Sequence, residues 1–205
     1  MHEQVLTKEA ASLLPTFQQF EAYYLVDGTA LALQIGHRIS VDFDFFSSEE
    51  LPSNLLARVK RAFLGSSIAV TYAAPEQLNL LIDTVKVTFL HYPYSVCEPF
   101  VFFKEIPLAN TTEIAAMKAF SVGRRLAYKD YVDWYFLLRD GSVNLKYILA
   151  LAQKKFGTEF NDRLFLSQLV SFEDIPIQKI DFLGEPIERG EIEEFLHKTV
   201  QTFEL

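Results

Sequence analysis

The run Ser40-Val41-Asp42-Phe43-Asp44-Phe45-Phe46 constrains the fold of this chain more than any other segment. Its β-branched and aromatic residues favour a β-strand, and we predict one over 39–46. Side chains on a strand alternate between its two faces, so Asp42 and Asp44 are expected on the same face. The opposite face then carries Val41, Phe43 and Phe45 into a core.

Two carboxylates held side by side repel each other, and a cation between them removes that cost. Oxygen ligands of this kind suit a hard ion such as Mg2+, so Asp42 and Asp44 are candidate metal ligands. The alternative is an edge strand with one solvated face, where polar and apolar residues alternate as a matter of course. Because Asp is depleted in strands, two of them in a run rich in Phe favour the metal.

A glycine turn precedes this strand, within Leu25-Val26-Asp27-Gly28-Thr29. A strand that passes through Gly28 into a helix presents backbone N–H groups to a phosphate, and Thr29 completes the cradle. The alternative is a plain strand-to-helix turn. Beside a carboxylate metal site, a phosphate cradle predicts nucleotidyl or phosphoryl transfer.

The composition is that of an ordinary globular protein: 205 residues, half of them apolar and 22% charged. That length suits one large domain or two small ones. A net charge of −8 argues against a general nucleic-acid coat. Cys97 is the only cysteine, which excludes an internal disulfide and a cysteine-based zinc site. The sequence shows neither a signal peptide nor a membrane-spanning apolar stretch, so we expect a cytoplasmic protein without a membrane partner.

The pattern along the chain changes near residue 105. Before it, short strand patterns alternate with helices, and 78–82 with 85–90 indicate a hairpin. After it the patterns are helical, including helices over 113–125 and 129–138. The order predicts an α+β protein with a boundary near residue 105.

A local excess of positive charge lies in the helical part. Lys118, Arg124, Arg125 and Lys129 occur with no acid among them, and on a continuous helix positions 118, 122 and 125 share one stripe. Such a patch suits a triphosphate or an RNA backbone, although charge runs are usually solvated faces. In the first half of the chain, Arg38 could bind a phosphate or pair with the aspartates, or be a surface charge.

Asp130 and Asp133 follow directly, three residues apart on one helical face. They could orient Lys118 or Arg125, or act as a base. The alternative for Asp130 is an acid stabilised by the positive end of its helix. Asp133 lies deeper in the helix, beside Trp134, and fits that alternative less well.

In combination these segments resemble the AbiEii/AbiGii toxin family of nucleotidyltransferases, which have the DNA polymerase β-like fold. The resemblance covers 20–140 and rests on a Gly-containing turn, an Asp-x-Asp strand, a Lys and a Lys-Asp-x-x-Asp helix, in that order. The matching segments are 25–33, 36–46, Glu113-Ile114-Ala115-Ala116-Met117-Lys118, Arg125 and 129–138.

The resemblance implies a nucleotidyltransferase-like α/β domain over 1–105 and a helical domain over 106–205 that closes a nucleotide cleft. It implies transfer of a nucleoside monophosphate from an NTP to an acceptor, with tRNA a candidate acceptor and a cognate antitoxin a candidate partner. Asp42 and Asp44 would bind the Mg2+ that carries the NTP. The implied catalytic residues are Asp42, Asp44, Lys118, Asp130 and Asp133, and the implied nucleotide-binding residues are Gly28, Thr29, Arg38, Lys118 and Arg125.

Two positions depart from the family pattern. Asp27 stands where the first turn glycine is usual, and its charge would repel a triphosphate. Thr88 stands where a neighbouring strand would supply a third carboxylate, which often acts on the attacking hydroxyl. A catalytically degenerate nucleotide-binding protein of the same fold is therefore one alternative, and a small-molecule nucleotidyltransferase is another.

Overall fold

The computed structural model describes residues 1–204, in which seven strands and eight α-helices form a mixed α and β protein. The α+β class expected from the sequence is confirmed. The strands are β1 (Tyr24–Val26), β2 (Phe43–Ser47), β3 (Ile68–Ala74), β4 (Gln77–Ile82), β5 (Val85–His91), β6 (Val101–Phe103) and β7 (Ile106–Leu108). The helices are α1 (Lys8–Phe17), α2 (Asp27–Ile35), α3 (Leu55–Ala62), α4 (Thr111–Ser121), α5 (Tyr128–Arg139), α6 (Leu145–Phe156), α7 (Asp162–Leu169) and α8 (Arg189–Gln201).

The chain divides into two compact units. Unit 1 consists of Met1–Ser95 with Pro99–Asn110, and unit 2 consists of Val96–Glu98 with the chain from Thr111 onward. All of the strands just named belong to unit 1, and the helices from α4 to α8 belong to unit 2.

Unit 1 is built on one mixed sheet with the strand order β3-β4-β5-β2-β1-β7-β6. β2 and β5 pair in parallel, as do β1 and β7, and the remaining neighbours are antiparallel. The predicted hairpin is confirmed, because β4 and β5 pair with Ile82 opposite Val85. The β1–β2–β5 neighbourhood is the part of the sheet that carries the candidate site.

One face of this sheet is closed by aromatic packing. Phe43 and Phe45 of β2 are buried, and the ring of Phe17 from α1 lies 5.2 Å and 4.6 Å from theirs. Phe89 of β5 extends the same cluster, 5.6 Å from Phe45. Because β2 alternates, this packing leaves Asp44 half-buried on the other face.

The predicted start of β2 is wrong, because the strand begins at Phe43 and not at residue 39. The preceding segment is diverted towards the N-terminus, where the Ser40 N–H donates to the Val5 carbonyl and Ser40 forms a parallel bridge with Leu6. Val41, expected in the core, is 47% exposed as a result. Asp42 therefore lies one residue before β2.

Local residues set one helix start and one helix end in unit 2. The Asn144 side chain accepts from the Tyr147 N–H at the start of α6, which matches a cap recognisable in the sequence. The predicted continuation of α4 to residue 125 is wrong, because the helix ends at Ser121. Gly123 follows with a φ of +75°, a left-handed conformation that interrupts a right-handed helix. The proposed stripe through 118, 122 and 125 therefore does not exist.

The centre of unit 2 is α5, which is buried along most of its length. Trp134 is fully buried and its ring lies 5.1 Å from that of Phe165 on α7. A helix that is buried all round has no room for solvated charges, which makes Asp130 and Asp133 the unusual residues of this core. Across residues 1–204, every helix is too short or too polar to traverse a lipid bilayer.

Candidate functional site

The site in unit 1 begins where β1 passes directly into α2. Val26 ends the strand and Asp27 starts the helix with a φ of +57°. Non-glycine residues rarely adopt this left-handed conformation, although Asp and Asn tolerate it better than most. Glycine adopts such a conformation without steric cost, which accords with the turn glycine that the resemblance led us to expect here.

The guanidinium of Arg38 packs directly against Gly28. A Cβ at this position would stand 2.4 Å from Nη2 of Arg38, so any side chain would displace the guanidinium. Arg38 is only 4% exposed, which excludes the surface-charge alternative. Its Nη1 also donates to the Ile39 carbonyl at 3.2 Å and approaches Ser40 Oγ at 3.4 Å. The first turn of α2 is therefore lined by a fixed positive charge.

A buried hydroxyl pair ties α2 to the segment that leads into β2. Thr29 Oγ1 lies 2.8 Å from Ser40 Oγ and also hydrogen-bonds to the main-chain carbonyl of Asp42. The predicted phosphate contact of the Thr29 hydroxyl stays a prediction, and within the protein this hydroxyl serves to hold Asp42 beside the helix start. Ser40 is a contributor that the sequence reasoning missed, since a lone serine before a strand carries no distinctive signal.

Asp44 lies in a row that crosses three strands. In the antiparallel β1–β2 pair it stands opposite Val26, and in the parallel β2–β5 pair it stands beside Thr88. Residues in register share a face, so Thr88 occupies the neighbouring position on Asp44's face. The strand next to β2 therefore offers a hydroxyl, at the position where the resemblance led us to expect a third carboxylate.

The donor set in unit 1 fits Mg2+. Asp42 and Asp44 are both half-buried, and each offers carboxylate oxygens at or next to the start of β2. Mg2+ usually keeps several waters and binds one or two carboxylates together with substrate phosphates, without a complete protein cage. Two acids with Thr88 beside them meet that requirement.

Unit 2 holds a second cluster, in which a buried lysine bridges two buried acids. Lys118 Nζ lies 2.8 Å from Asp130 Oδ1 and 2.8 Å from Asp133 Oδ2. All three side chains are at most 3% exposed. Asp130 and Asp133 thus hold Lys118, as one sequence-based alternative proposed. Asp130 also lies in the first turn of α5, where the other alternative placed it.

Arg125 completes this cluster from the loop between α4 and α5. Its Nε donates to Asp130 Oδ2 at 2.8 Å and its Nη2 donates to Oδ1 at 3.1 Å, which is a bidentate ion pair. The Arg125 side chain is 43% exposed, whereas the carboxylate it binds is 1% exposed. Burial raises the pKa of the adjacent Tyr131 phenol, and the negative charge of Asp130 raises it further.

A further buried ion pair in unit 2 was missed by the sequence reasoning. Glu113 Oε1 lies 2.6 Å from Lys155 Nζ, and both side chains are fully buried. Glu113 Oε2 accepts from the backbone N–H groups of Cys97 and Glu98, at 3.0 and 3.2 Å. The two partners are separated by 42 residues, so no local pattern could have paired them. This pair fixes the segment Val96–Glu98 to the helices of unit 2.

Known proteins resemble this chain over most of its length. The sequence model of the family described as "Nucleotidyl transferase AbiEii toxin, Type IV TA system" matches residues 11–203. An uncharacterized protein of Aquifex aeolicus (strain VF5) is 32% identical over 184 residues, which cover 88% of this chain and 87% of that protein.

Two solved structures share the fold at low sequence identity. One is the crystal structure of an H. pylori protein assigned as a nucleotidyltransferase, with a TM-score of 0.61, 17% identity and coverage of 95% of this chain and 94% of that chain. The other is JHP933 of Helicobacter pylori, with a TM-score of 0.50, 14% identity and coverage of 96% and 95%. The chain belongs to the AbiEii nucleotidyltransferase toxin family and has a nucleotidyltransferase-like fold.

Proposed function

We propose that this member of the AbiEii family is a Mg2+-dependent nucleotidyltransferase that moves a nucleoside monophosphate from an NTP to an RNA acceptor. The observation that carries the proposal is the arrangement at the start of α2: a buried arginine against Gly28, with Asp42 tied to the same turn and Asp44 on the adjacent strand. A fixed cation and a helix start suit phosphates, and the two acids suit the ion that accompanies them.

In this proposal each part of unit 1 has a separate task. The first turn of α2, with Gly28, Thr29 and Arg38, holds the β- and γ-phosphates. Asp42 and Asp44 would hold the Mg2+, which would supply charge neutralisation for the phosphates. The acceptor hydroxyl attacks the α-phosphorus, the bond to the β-phosphate oxygen breaks, pyrophosphate leaves and the hydroxyl proton passes to solvent.

In unit 2 the proposed contribution is a rigidly held positive charge. The two positive groups, Lys118 and Arg125, are matched by the two negative groups, Asp130 and Asp133. A buried lysine between two carboxylates has little freedom to move, so its ammonium is preorganised. By the family resemblance, we propose that Lys118 offsets charge on the phosphates and that its partners keep it in place.

Two further partners follow from family membership as proposals. The family is the toxin component of type IV toxin–antitoxin systems, and we propose a cognate antitoxin for this chain. We propose RNA, with tRNA as one candidate, as the acceptor class.

One observation favours a second candidate function, a protein of the same fold that binds a nucleotide without transferring it. Thr88 stands beside Asp44 where a third acid often assists the attacking hydroxyl. Nucleotide binding needs the phosphate cradle and the two acids, whereas transfer gains from the third. The two candidates therefore differ in turnover and agree in NTP affinity.

The test is incubation of the purified protein with Mg2+, total bacterial RNA and each α-labelled NTP in turn. Asp44→Asn is the test variant. Asp83→Asn is the matched control, because Asp83 is an exposed acid in the β4–β5 turn of the same unit. We expect labelled RNA from the wild type and from Asp83→Asn, and none from Asp44→Asn.

A parallel measurement separates the two candidate functions. Mg2+ with an NTP should raise the thermal unfolding midpoint of any variant that binds the nucleotide. Stabilisation without labelled RNA, for every NTP, favours the binding protein. Labelling that survives in Asp44→Asn overturns the proposed role of the acidic pair.

A further inference from the structure

Aromatic side chains form a continuous row on the face of the unit 1 sheet that carries Asp44. Phe46 lies two residues beyond Asp44 on β2, so both project from the same face. Tyr24 of β1 stands opposite Phe46 in the antiparallel register. Phe46, which belongs to this row, is therefore two residues from Asp44 along β2.

The ring geometry shows that the row continues in both directions from this pair. The centroids of Phe46 and Tyr92 are 4.9 Å apart, and those of Tyr92 and Tyr94 are 5.2 Å apart. On the other side, Tyr24 lies 6.5 Å from Phe46 and 5.0 Å from Phe100. We call these five residues the aromatic row.

Four members of the row are at least partly open to solvent, and Tyr24 is buried. Phe100 is 38% exposed, and Phe46, Tyr92 and Tyr94 are half-buried, whereas Tyr24 is 6% exposed. The opposite face of the same strands buries its Phe side chains completely. Half-exposed rings beside a carboxylate site offer flat surfaces on which planar ligands can stack.

We propose that the aromatic row binds the nucleobases of a single-stranded RNA acceptor by stacking, next to Asp44. Every base has a π-face, so stacking on aromatic rings holds single strands with little dependence on sequence. An NTP has one base and would use one or two rings. Five rings at successive spacings of 4.9–6.5 Å suit several consecutive bases, which only a strand provides.

The negative net charge of the chain favours stacking over ion pairs as the main contribution to RNA binding. At a net charge of −8 the protein has weak general attraction for a polyanion. Stacking on uncharged rings does not depend on that attraction. This inference rests on the proposed function, since it names how the RNA acceptor of that same site is bound.

The test is the affinity of a fluorescent single-stranded oligonucleotide RNA, measured by anisotropy without NTP. The variants are Tyr92→Ala and Tyr94→Ala, each paired with its Phe substitution, which keeps the ring and removes the hydroxyl. Tyr72→Ala is the matched control, because Tyr72 is a 52% exposed tyrosine on β3 of the same unit and outside the row. We expect the Ala variants to weaken binding by about 5- to 100-fold, the range that one lost stacking contact gives. The Phe variants and Tyr72→Ala should bind like the wild type.

Thermal stabilisation by Mg2+ with an NTP is measured on the same variants. Unchanged nucleotide stabilisation with weakened RNA binding supports the aromatic row as the acceptor site. The inference is overturned if the wild type does not bind the oligonucleotide or if the Ala variants bind it as tightly as the wild type. It is also overturned if the Phe variants no longer bind the oligonucleotide, or if the Ala variants are no longer stabilised by Mg2+ with an NTP. If Mg2+ with an NTP does not stabilise the wild type against thermal unfolding, the proposed function is contradicted. The RNA affinities of the variants then still decide whether the aromatic row binds RNA.

Discussion

Asp42 and Asp44 in unit 1 and Asp130 and Asp133 in unit 2 are the same residue type in opposite environments. The first two are half-buried at the start of a strand, whereas the second two are at most 1% exposed and bind Lys118. A half-exposed carboxylate can exchange water for an ion or a phosphate partner. A fully buried one requires a permanent cation, because an unpaired charge in a protein interior is very costly. The second pair holds a lysine, and the exposure of the first pair supports our proposal that it binds ligands.

The largest effect that tests this contrast is expected from Asp44→Asn. Loss of the carboxylate that we propose binds the metal should lower the rate of nucleotide transfer by at least about 100-fold, because metal-ion stabilisation of a phosphoryl transition state amounts to several kcal/mol. The free energy of unfolding should change by no more than about 1 kcal/mol, since the residue is half-exposed. Transfer assays and urea denaturation of the same preparation measure both. A large loss of stability would place Asp44 with the buried pair and remove the contrast.

Lys118→Met should show the reverse pattern, in which the main effect is a lower free energy of unfolding. The substitution leaves Asp130 with Arg125 alone and Asp133 without the ammonium that lies 2.8 Å away. Breaking a buried ion pair by removing one partner typically costs about 3–5 kcal/mol. Urea denaturation measures the loss. Lys146→Met is the control, because Lys146 is an exposed lysine on α6 and its replacement should cost less than about 0.5 kcal/mol. Equal stability of the two variants would show that the cluster is not the buried, mutually dependent unit described above.

The sequence predicted those structural features whose signal lies within a few neighbouring residues. Phe43, Asp44 and Phe45 follow strand alternation, and Asn144 is a recognisable helix cap, so both could be read from a few neighbouring residues. The position of Asp42 could not be predicted in this way. The segment before β2 is diverted because Ser40 pairs with Leu6, a contact across 34 positions of the chain. The same limit hid the Glu113–Lys155 pair. The stripe around Lys118 failed for a local reason, because α4 ends at Ser121 and Gly123 follows in a left-handed conformation.

The spacing of the charged residues around Lys118 was visible in the sequence, whereas their burial was not. Lys118, Asp130 and Asp133 lie within 16 residues of one another, and their spacing alone raised the alternative that the acids orient the lysine. What the sequence could not supply was burial, which decides between a solvated basic face and a closed ion cluster. Arg38 shows the same point, since only its 4% exposure separates a fixed cation from a surface charge.

Thr88→Asp tests the half-exposed side of the contrast by adding an acid to it. A carboxylate beside Asp44 on the neighbouring strand should destabilise the protein by up to about 1 kcal/mol in the presence of EDTA, because like charges directly opposite each other on a sheet repel. Mg2+ should restore the lost stability, since the ion then binds a third acid. Thr88→Asn is the neutral control and should respond to Mg2+ no more than the wild type does. Thermal unfolding with and without the ion measures this, and a Thr88→Asp protein indifferent to Mg2+ would argue that no ion binds at Asp44.

Asp27→Asn should have the smallest effect, and it refines what kind of ligand the site in unit 1 accepts. Asn tolerates the left-handed φ of +57° about as well as Asp, so the substitution removes charge while keeping the backbone. One negative charge fewer at the start of α2 should increase the affinity for an NTP with Mg2+ by about fivefold, the effect of roughly 1 kcal/mol of repulsion between groups near a protein surface. Titration of thermal stability with NTP measures the change. A decrease in affinity would show that Asp27 assists the nucleotide or its ion, and that unit 1 compensates for Thr88 with an acid at its turn.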